Sequence, residues 1–329
     1  MPTSAQDSDA TAANRVLVKK IRKRADQPTS PLGPCLDSYD ARLADADDDR
    51  HPLLDLTEHL LGTLDVTRAA IRARMVAKWQ GDDDAVRKVE SSVTNSLRRS
   101  AGTNYQSLVS YAIARYLIDA GSEWYVEFPV PKELAHELSI LFTAGVEPTA
   151  VAEDGEPDDD SEDLVEGEET AAGVTVKPDV DVLLRNASWD ARATAPEPML
   201  ILSVKTSLAD RAGSAARWKT YFDLVTQPCA HACEPDCAYG RLGIQLAYDP
   251  NVSITHGIVT ANIYKVGSDP HFTQFGELRS NQARANTFMF DARYTTRNDT
   301  DDVMAEGWEA LPSLIDRLET VSREFDLPL

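Results

Sequence analysis

Lys177-Pro178-Asp179-Val180-Asp181-Val182-Leu183-Leu184 and Leu200-Ile201-Leu202-Ser203-Val204-Lys205-Thr206-Ser207-Leu208-Ala209-Asp210-Arg211 are the two stretches on which the fold turns. The first leads an acid into a short apolar run, the pattern of a strand with a buried face. The second is a continuous apolar run that ends in a lysine and then turns toward a helix, as a strand buried on both faces does. Asp179 and Lys205 are 26 residues apart, a gap that suits a β-hairpin with a long loop. Neighbouring strands lie roughly 4.8 Å apart, so the two strand ends can bring carboxylate and ammonium together. Asp181 falls on the same strand face as Asp179. It stands either as a second ligand to whatever Asp179 holds or as a hydrogen-bonding neighbour.

A carboxylate is a hard oxygen ligand for magnesium. A lysine beside it can orient an attacking water and offset the charge that develops on a phosphate. The pair is the minimum equipment of a metal-dependent phosphodiesterase. Pro178-Asp179 followed by Ser203-Val204-Lys205 resembles the signature of the PD-(D/E)XK nuclease superfamily, with a departure at Ser203, where that signature has an acid. A serine there is similar to one branch, the type II restriction endonucleases that cut sites with CCGG or CCNGG cores. The block Lys205-Thr206-Ser207-Leu208-Ala209-Asp210-Arg211 resembles the Lys-Thr-Thr-x-x-Asp-Arg segment of that branch. The likeness covers residues 100–265, and only 177–211 is specific.

The resemblance implies an α/β fold, a restriction-endonuclease-like mixed β-sheet core flanked by helices, with magnesium as cofactor. It implies Asp179, Ser203 and Lys205 as catalytic residues and Asp210 and Arg211 as readers of cytosine and guanine edges. Arginine donates two bonds to guanine, and aspartate accepts from cytosine, in the major groove. Asp210 has a competing structural role as a helix cap, and Arg217 suits a phosphate contact. The partners implied are double-stranded DNA, a second copy of the chain to match a palindrome, and a cognate DNA methyltransferase. The second carboxylate is the gap. The resemblance implies a glutamate at 218 or 219, where this chain has Trp218 and Lys219. Asp223, one helical turn further, and Gln106, on the upstream helix, remain as substitutes, with Glu90 more remote. Three functions stay open: a site-specific endonuclease of a restriction system, a DNA-binding protein whose cleavage centre has decayed, and a repair or recombination nuclease without sequence specificity.

Cys229-Ala230-His231-Ala232-Cys233-Glu234-Pro235-Asp236-Cys237 is the other chemical cluster. Three thiolates and an imidazole can fill a tetrahedral structural zinc site, and Cys35 is an alternative fourth ligand to His231. Unligated cysteines are the competing reading.

A chain of 329 residues can bury a sizeable core. No apolar run approaches the roughly 20 residues that span a bilayer, and the N-terminus lacks a secretory pattern, so the expectation is a cytoplasmic protein with no membrane partner. The net charge of −21 argues at first against a nucleic-acid partner. The acid is concentrated, however, in 45–49, 82–84 and 153–169, the last holding eleven acids and no base. Arginine outnumbers lysine while aspartate is abundant, a balance that resembles halophilic proteins, in which about 1 M salt screens repulsion within about 3 Å. An acidic insert in an ordinary protein is the alternative.

The organisation expected is a disordered tail over 1–14, a helical N-terminal part over 15–100, and a nuclease core over 101–329 with a disordered acidic insert at 146–173. Arg15 to Arg24 is a dense basic run, either an arm that tracks phosphates or an ordinary basic helix. Helical spacing is expected from Leu53, broken at Gly81–Asp84 and resumed over 85–98, with a turn at Ala101-Gly102-Thr103-Asn104 and a helix from Tyr105 to Ala120 that Gly121 stops. Residues 123–130 alternate as a strand, 210–225 form a helix, 241–248 and 257–266 read as paired strands, and a last helix spans 303–323.

Overall fold

The apolar run at 199–204 becomes the middle of a six-stranded sheet. A computed structural model describes residues 8–27, 30–78, 83–142, 168–170, 173–190, 194–206, 208, 211–226, 243–248, 251–261, 288–297 and 307–329. In spatial order that sheet comprises β1 (Trp124–Glu127), β5 (Val182–Asn186), β6 (Glu197–Lys205), β8 (Val252–Thr260), β9 (Ala292–Thr295) and β10 (Glu309–Ala310). β5 runs antiparallel to both β1 and β6, while β6, β8, β9 and β10 are parallel in turn. Every residue of β6 is buried, because the strand is covered on both faces. A second sheet, all antiparallel, sets β3 (Glu168–Thr170), β4 (Gly173–Val176), β2 (Ile140–Phe142) and β7 (Ile244–Leu246) side by side.

Alternation along β5 and β6 sends side chains to two cores. Val182, Leu184, Leu200, Leu202 and Val204 face the helical layer made by α1 (Asp9–Ala25), α2 (Gly33–Leu43), α3 (Leu56–Leu61), α5 (Asp83–Asp119) and α8 (Ser313–Glu324). Leu183, Met199 and Ile201 face Trp218 and Phe222 of α7 (Arg211–Thr226), together with α6 (Lys132–Glu137) and the second sheet. α4 (Leu64–Lys78) packs on α5 through Ile71, Val93 and Leu97. The architecture is therefore mixed α/β, with a mixed sheet between helices.

Several expectations need correction. The N-terminal tail is shorter than 1–14: Ser8 caps α1 by accepting a 3.2 Å bond from the Thr11 amide, and Ala10 and Asn14 are buried. Asn14 is spent on the edge strand, donating to Trp124 O at 2.9 Å and accepting from Val126 N at 3.0 Å. The expected turn at 101–104 and boundary at 100 both fall inside α5, which is continuous across them. Gly102 costs about 1 kcal/mol of helix propensity, but Ala101 and Asn104 are buried, and Asn104 donates to Pro31 O at 3.1 Å. Tertiary contacts override the local signal. The stop at Gly121 is as expected: it takes φ +63°, Gly121 N bonds Ile118 O, and Ser122 N bonds Leu117 O, a Schellman closure.

Of the stretch 146–173 expected as a disordered insert, 168–170 form β3 and Gly173 opens β4; residues 146–167 and 171–172 lie outside the described residues. The stretches 241–248 and 257–266 are not partners. β7 pairs with β2 in the second sheet, whereas β8 pairs with β6 and β9 in the first. The last helix begins at Ser313 rather than 303. Among the described residues no helix is long and apolar enough to cross a membrane.

Candidate functional site

Lys205 is the last residue of β6, and its side chain is 8% exposed. A buried ammonium needs partners, and it has two: Asp179 Oδ2 at 3.2 Å and Asp181 Oδ2 at 3.0 Å. The antiparallel register that pairs Val182 with Leu202 leaves Asp181 just outside β5, beside the end of β6. There its Oδ2 also accepts the Val204 amide at 2.7 Å, and its Oδ1 accepts Gln106 Nε2 at 2.7 Å. Gln106 comes from α5, so a helix on one side of the sheet braces the end of the strand. Residues 177–180 belong to no strand, yet both carboxylates still meet on one ammonium.

The two acids differ in their surroundings. Burial pushes Asp181 up to about 6; the charge of Lys205 works against this and that of Asp179 with it. Burial by itself would lower Lys205, but the charges of Asp181 and Asp179 outweigh it and hold the ammonium above its ordinary value. At neutral pH the centre is therefore an ammonium between carboxylates. Asp179, 54% exposed, faces solvent, whereas Asp181, 5% exposed, is committed to its three donors.

Beneath this trio lies a second polar layer. Ser203 is buried, and its Oγ stands 3.0 Å from Nε2 of His256 on β8. Lys219 on α7 is buried as well; it pairs with Asp223 one turn on and with Asp291 Oδ1 at 3.3 Å. Asp291 Oδ2 accepts the His256 amide at 2.7 Å. Burial first, then the charges of Lys219 and Lys205, lowers His256 to about 3, so the ring is neutral.

The sequence-derived candidates sort as follows. Asp179, Lys205 and Gln106 come together around Asp181. Ser203 adjoins them from within the sheet. Asp223 is engaged by Lys219. Arg211 opens α7, and Arg217 is exposed on it. Asp210, Cys229, His231, Cys233 and Cys237 lie outside the described residues. Cys35 is wholly buried in the helical layer, where burial pushes its thiol up to about 12; a thiol that resists ionisation is a poor metal ligand.

Sequence reasoning missed His256, Lys219 and Asp291. A signal existed for the first two. Ile254, His256 and Ile258 alternate on one strand face, and Lys219 sits among Ala215, Trp218 and Phe222 on the buried side of α7. A polar residue on such a face marks a buried network.

Among the described residues no three His, Cys, Asp or Glu side chains gather as a metal cage. Asp179 has one oxygen on Lys205 and a largely exposed carboxylate, which fits magnesium bound through one or two carboxylates and completed by water and phosphate oxygens. Asp181 has less to offer, because both its oxygens already accept hydrogen bonds. Neither the models of known protein families nor the curated proteins give a match to this chain.

Proposed function

We propose that the protein is a magnesium-dependent endonuclease that hydrolyses phosphodiester bonds in double-stranded DNA, a type II site-specific deoxyribonuclease of a restriction-modification system. The supporting observation is the convergence of Asp179, Asp181 and Lys205 at the carboxyl end of β6, with α7 beginning six residues further on. In this reading the six-stranded sheet with α5 and α7 is a restriction-endonuclease-like core. Asp179 would hold magnesium, which would supply positive charge beside the scissile phosphate.

Lys205 donates to the phosphate or to the attacking water, and Asp181 keeps that lysine charged and aimed. Asp181 in turn is oriented by Gln106 and the Val204 amide. Arg211 and Asp210 read bases, and Arg217 contacts the backbone. The protein acts in the cytoplasm as a homodimer on a palindromic site, beside a cognate DNA methyltransferase. Its acidic surface suits a salt-accumulating cell.

One observation favours a second reading, a DNA-binding protein without cleavage. The position where the resemblance implies a glutamate is filled by Lys219, a buried cation, and Asp223 is spent on it. Incubating plasmid DNA with the purified protein and magnesium separates these readings. Discrete bands support the site-specific endonuclease, a smear supports a nuclease without specificity, and intact plasmid that is nevertheless bound supports the DNA-binding protein.

A further inference from the structure

The imidazole of His256 is held by Ser203 and by two aromatic rings. Its backbone is clamped to Asp291, which accepts the His256 amide at 2.7 Å and donates its own amide to His256 O at 3.0 Å. The ring lies edge-on between Phe222 of α7, 6.0 Å away between centroids, and Phe290, 5.1 Å away. Parallel pairing with β6 sets Ile201 opposite His256 and Ser203 opposite Ile258, so the ring reaches forward along the strand to Ser203. The charged groups that bear on it are Lys219 from α7 and Lys205 from β6, and Asp291 holds its backbone. With two cations nearby and 1% of its surface exposed, the imidazole is neutral.

A neutral imidazole carries one N–H. Nε2 has Ser203 Oγ at 3.0 Å, whereas Nδ1 is buried with no hydrogen-bond partner among the described residues. If Nε2 carried the proton and donated to Ser203, the buried Ser203 hydroxyl proton and Nδ1 would both be left without a partner among the described residues, whereas a serine that donates to Nε2 leaves only the Nδ1–H. The ring proton therefore belongs on Nδ1, and Ser203 donates to Nε2. Ser203 and Lys205 lie on the same face of β6, so whatever holds the serine also holds the strand end that carries the ammonium.

We propose that His256 is a positioning residue of this centre: as the Nδ1–H tautomer it accepts the Ser203 hydroxyl proton at Nε2 and fixes the end of β6, setting where Lys205 stands between Asp179 and Asp181. The effect on cleavage rests on the endonuclease reading above; the tautomer and its coupling to Ser203 do not.

The test has two arms. In metal-free protein with isotope-labelled histidine, nitrogen NMR should show the His256 ring protonated on Nδ1. The signal is assigned by its loss in His256→Gln, and Ser203→Ala should move it. Protonation on Nε2, or indifference to Ser203→Ala, overturns the proposal. In cleavage assays His256→Leu and Ser203→Ala should each lower kcat about tenfold or more, as misplaced groups do, with KM for DNA within about twofold. The double variant should be no slower than the worse single, and His256→Gln, whose amide oxygen can accept from the Ser203 hydroxyl, should recover to within about threefold of wild type. Additive losses, or full activity in His256→Leu, contradict the proposal. A wild-type protein that cleaves nothing removes the endonuclease reading and leaves the tautomer arm to decide on His256.

Discussion

Asp181 Oδ2 stands 3.0 Å from Lys205 Nζ and 2.7 Å from the Val204 amide, so one buried oxygen fixes both the lysine and the backbone that carries it. Burial sets Asp181 near 6, so ionising it inside the fold is already unfavourable. Replacing its charge therefore costs little stability. Asp181→Asn should shift the unfolding free energy by no more than about 2 kcal/mol, well short of breaking a fully buried pair, because Asp179 still faces the ammonium. Cleavage should fall at least about tenfold through the loss of an aimed charge. Denaturant melts and initial rates measured together check this; a variant that unfolds but, where folded, cleaves normally would make Asp181 structural only.

Much of this centre was legible in the sequence. A continuous apolar run ending at Lys205 could only be a buried strand, and Pro178-Asp179 ahead of Val182-Leu183-Leu184 announced its hairpin partner. What could not be read was that 177–180 belong to no strand, so that strand alternation does not apply there and Asp181 turns out more deeply engaged than Asp179. The hydrogen bond from Gln106 is a contact 75 residues away in sequence, set by how α5 crosses the sheet. α5 itself was misread as separate pieces, because Gly102 and Asn104 carry turn signals that packing overrides. The small second sheet was missed because its strands are three or four residues long and one inner strand, β2, pairs with strands well downstream in the chain.

His59 provides a pH test away from the site. Its Nδ1 lies 2.8 Å from Ser38 Oγ, and burial, aided by Arg42 and Arg50, lowers it from 6.5 to about 4. Between those values the unfolded chain binds a proton that the folded chain refuses. Stability from this group is thus fully present above pH 6.5 and is lost as the pH falls toward 4, by on the order of 3 kcal/mol. His59→Gln should flatten that window in denaturation curves taken across it. An unchanged slope would mean that His59 titrates normally.

Arg211 opens α7, six residues after Lys205, and the proposed function makes it a reader of guanine in the major groove. Losing a bidentate arginine–guanine contact should cost about 1–3 kcal/mol of discrimination. Arg211→Ala should weaken binding to cognate DNA far more than to scrambled duplex. Equal losses, with the salt slope reduced by roughly one, would move Arg211 to the backbone.

The Cys229–Cys237 segment is tested by composition. Metal analysis of purified protein should find about one zinc per chain, removed by strong chelation together with thermal stability. Protein that is zinc-free and equally stable would leave those cysteines without a ligand role.

The most direct measurement is magnesium-dependent cleavage of plasmid DNA by the wild type, Asp179→Ala and Lys205→Ala, alongside binding of the same DNA in calcium. Discrete fragments are expected from the wild type and no cleavage from either variant, with binding retained in all three. Wild-type rates in either variant, or cleavage that proceeds without a divalent metal, would contradict the proposed function.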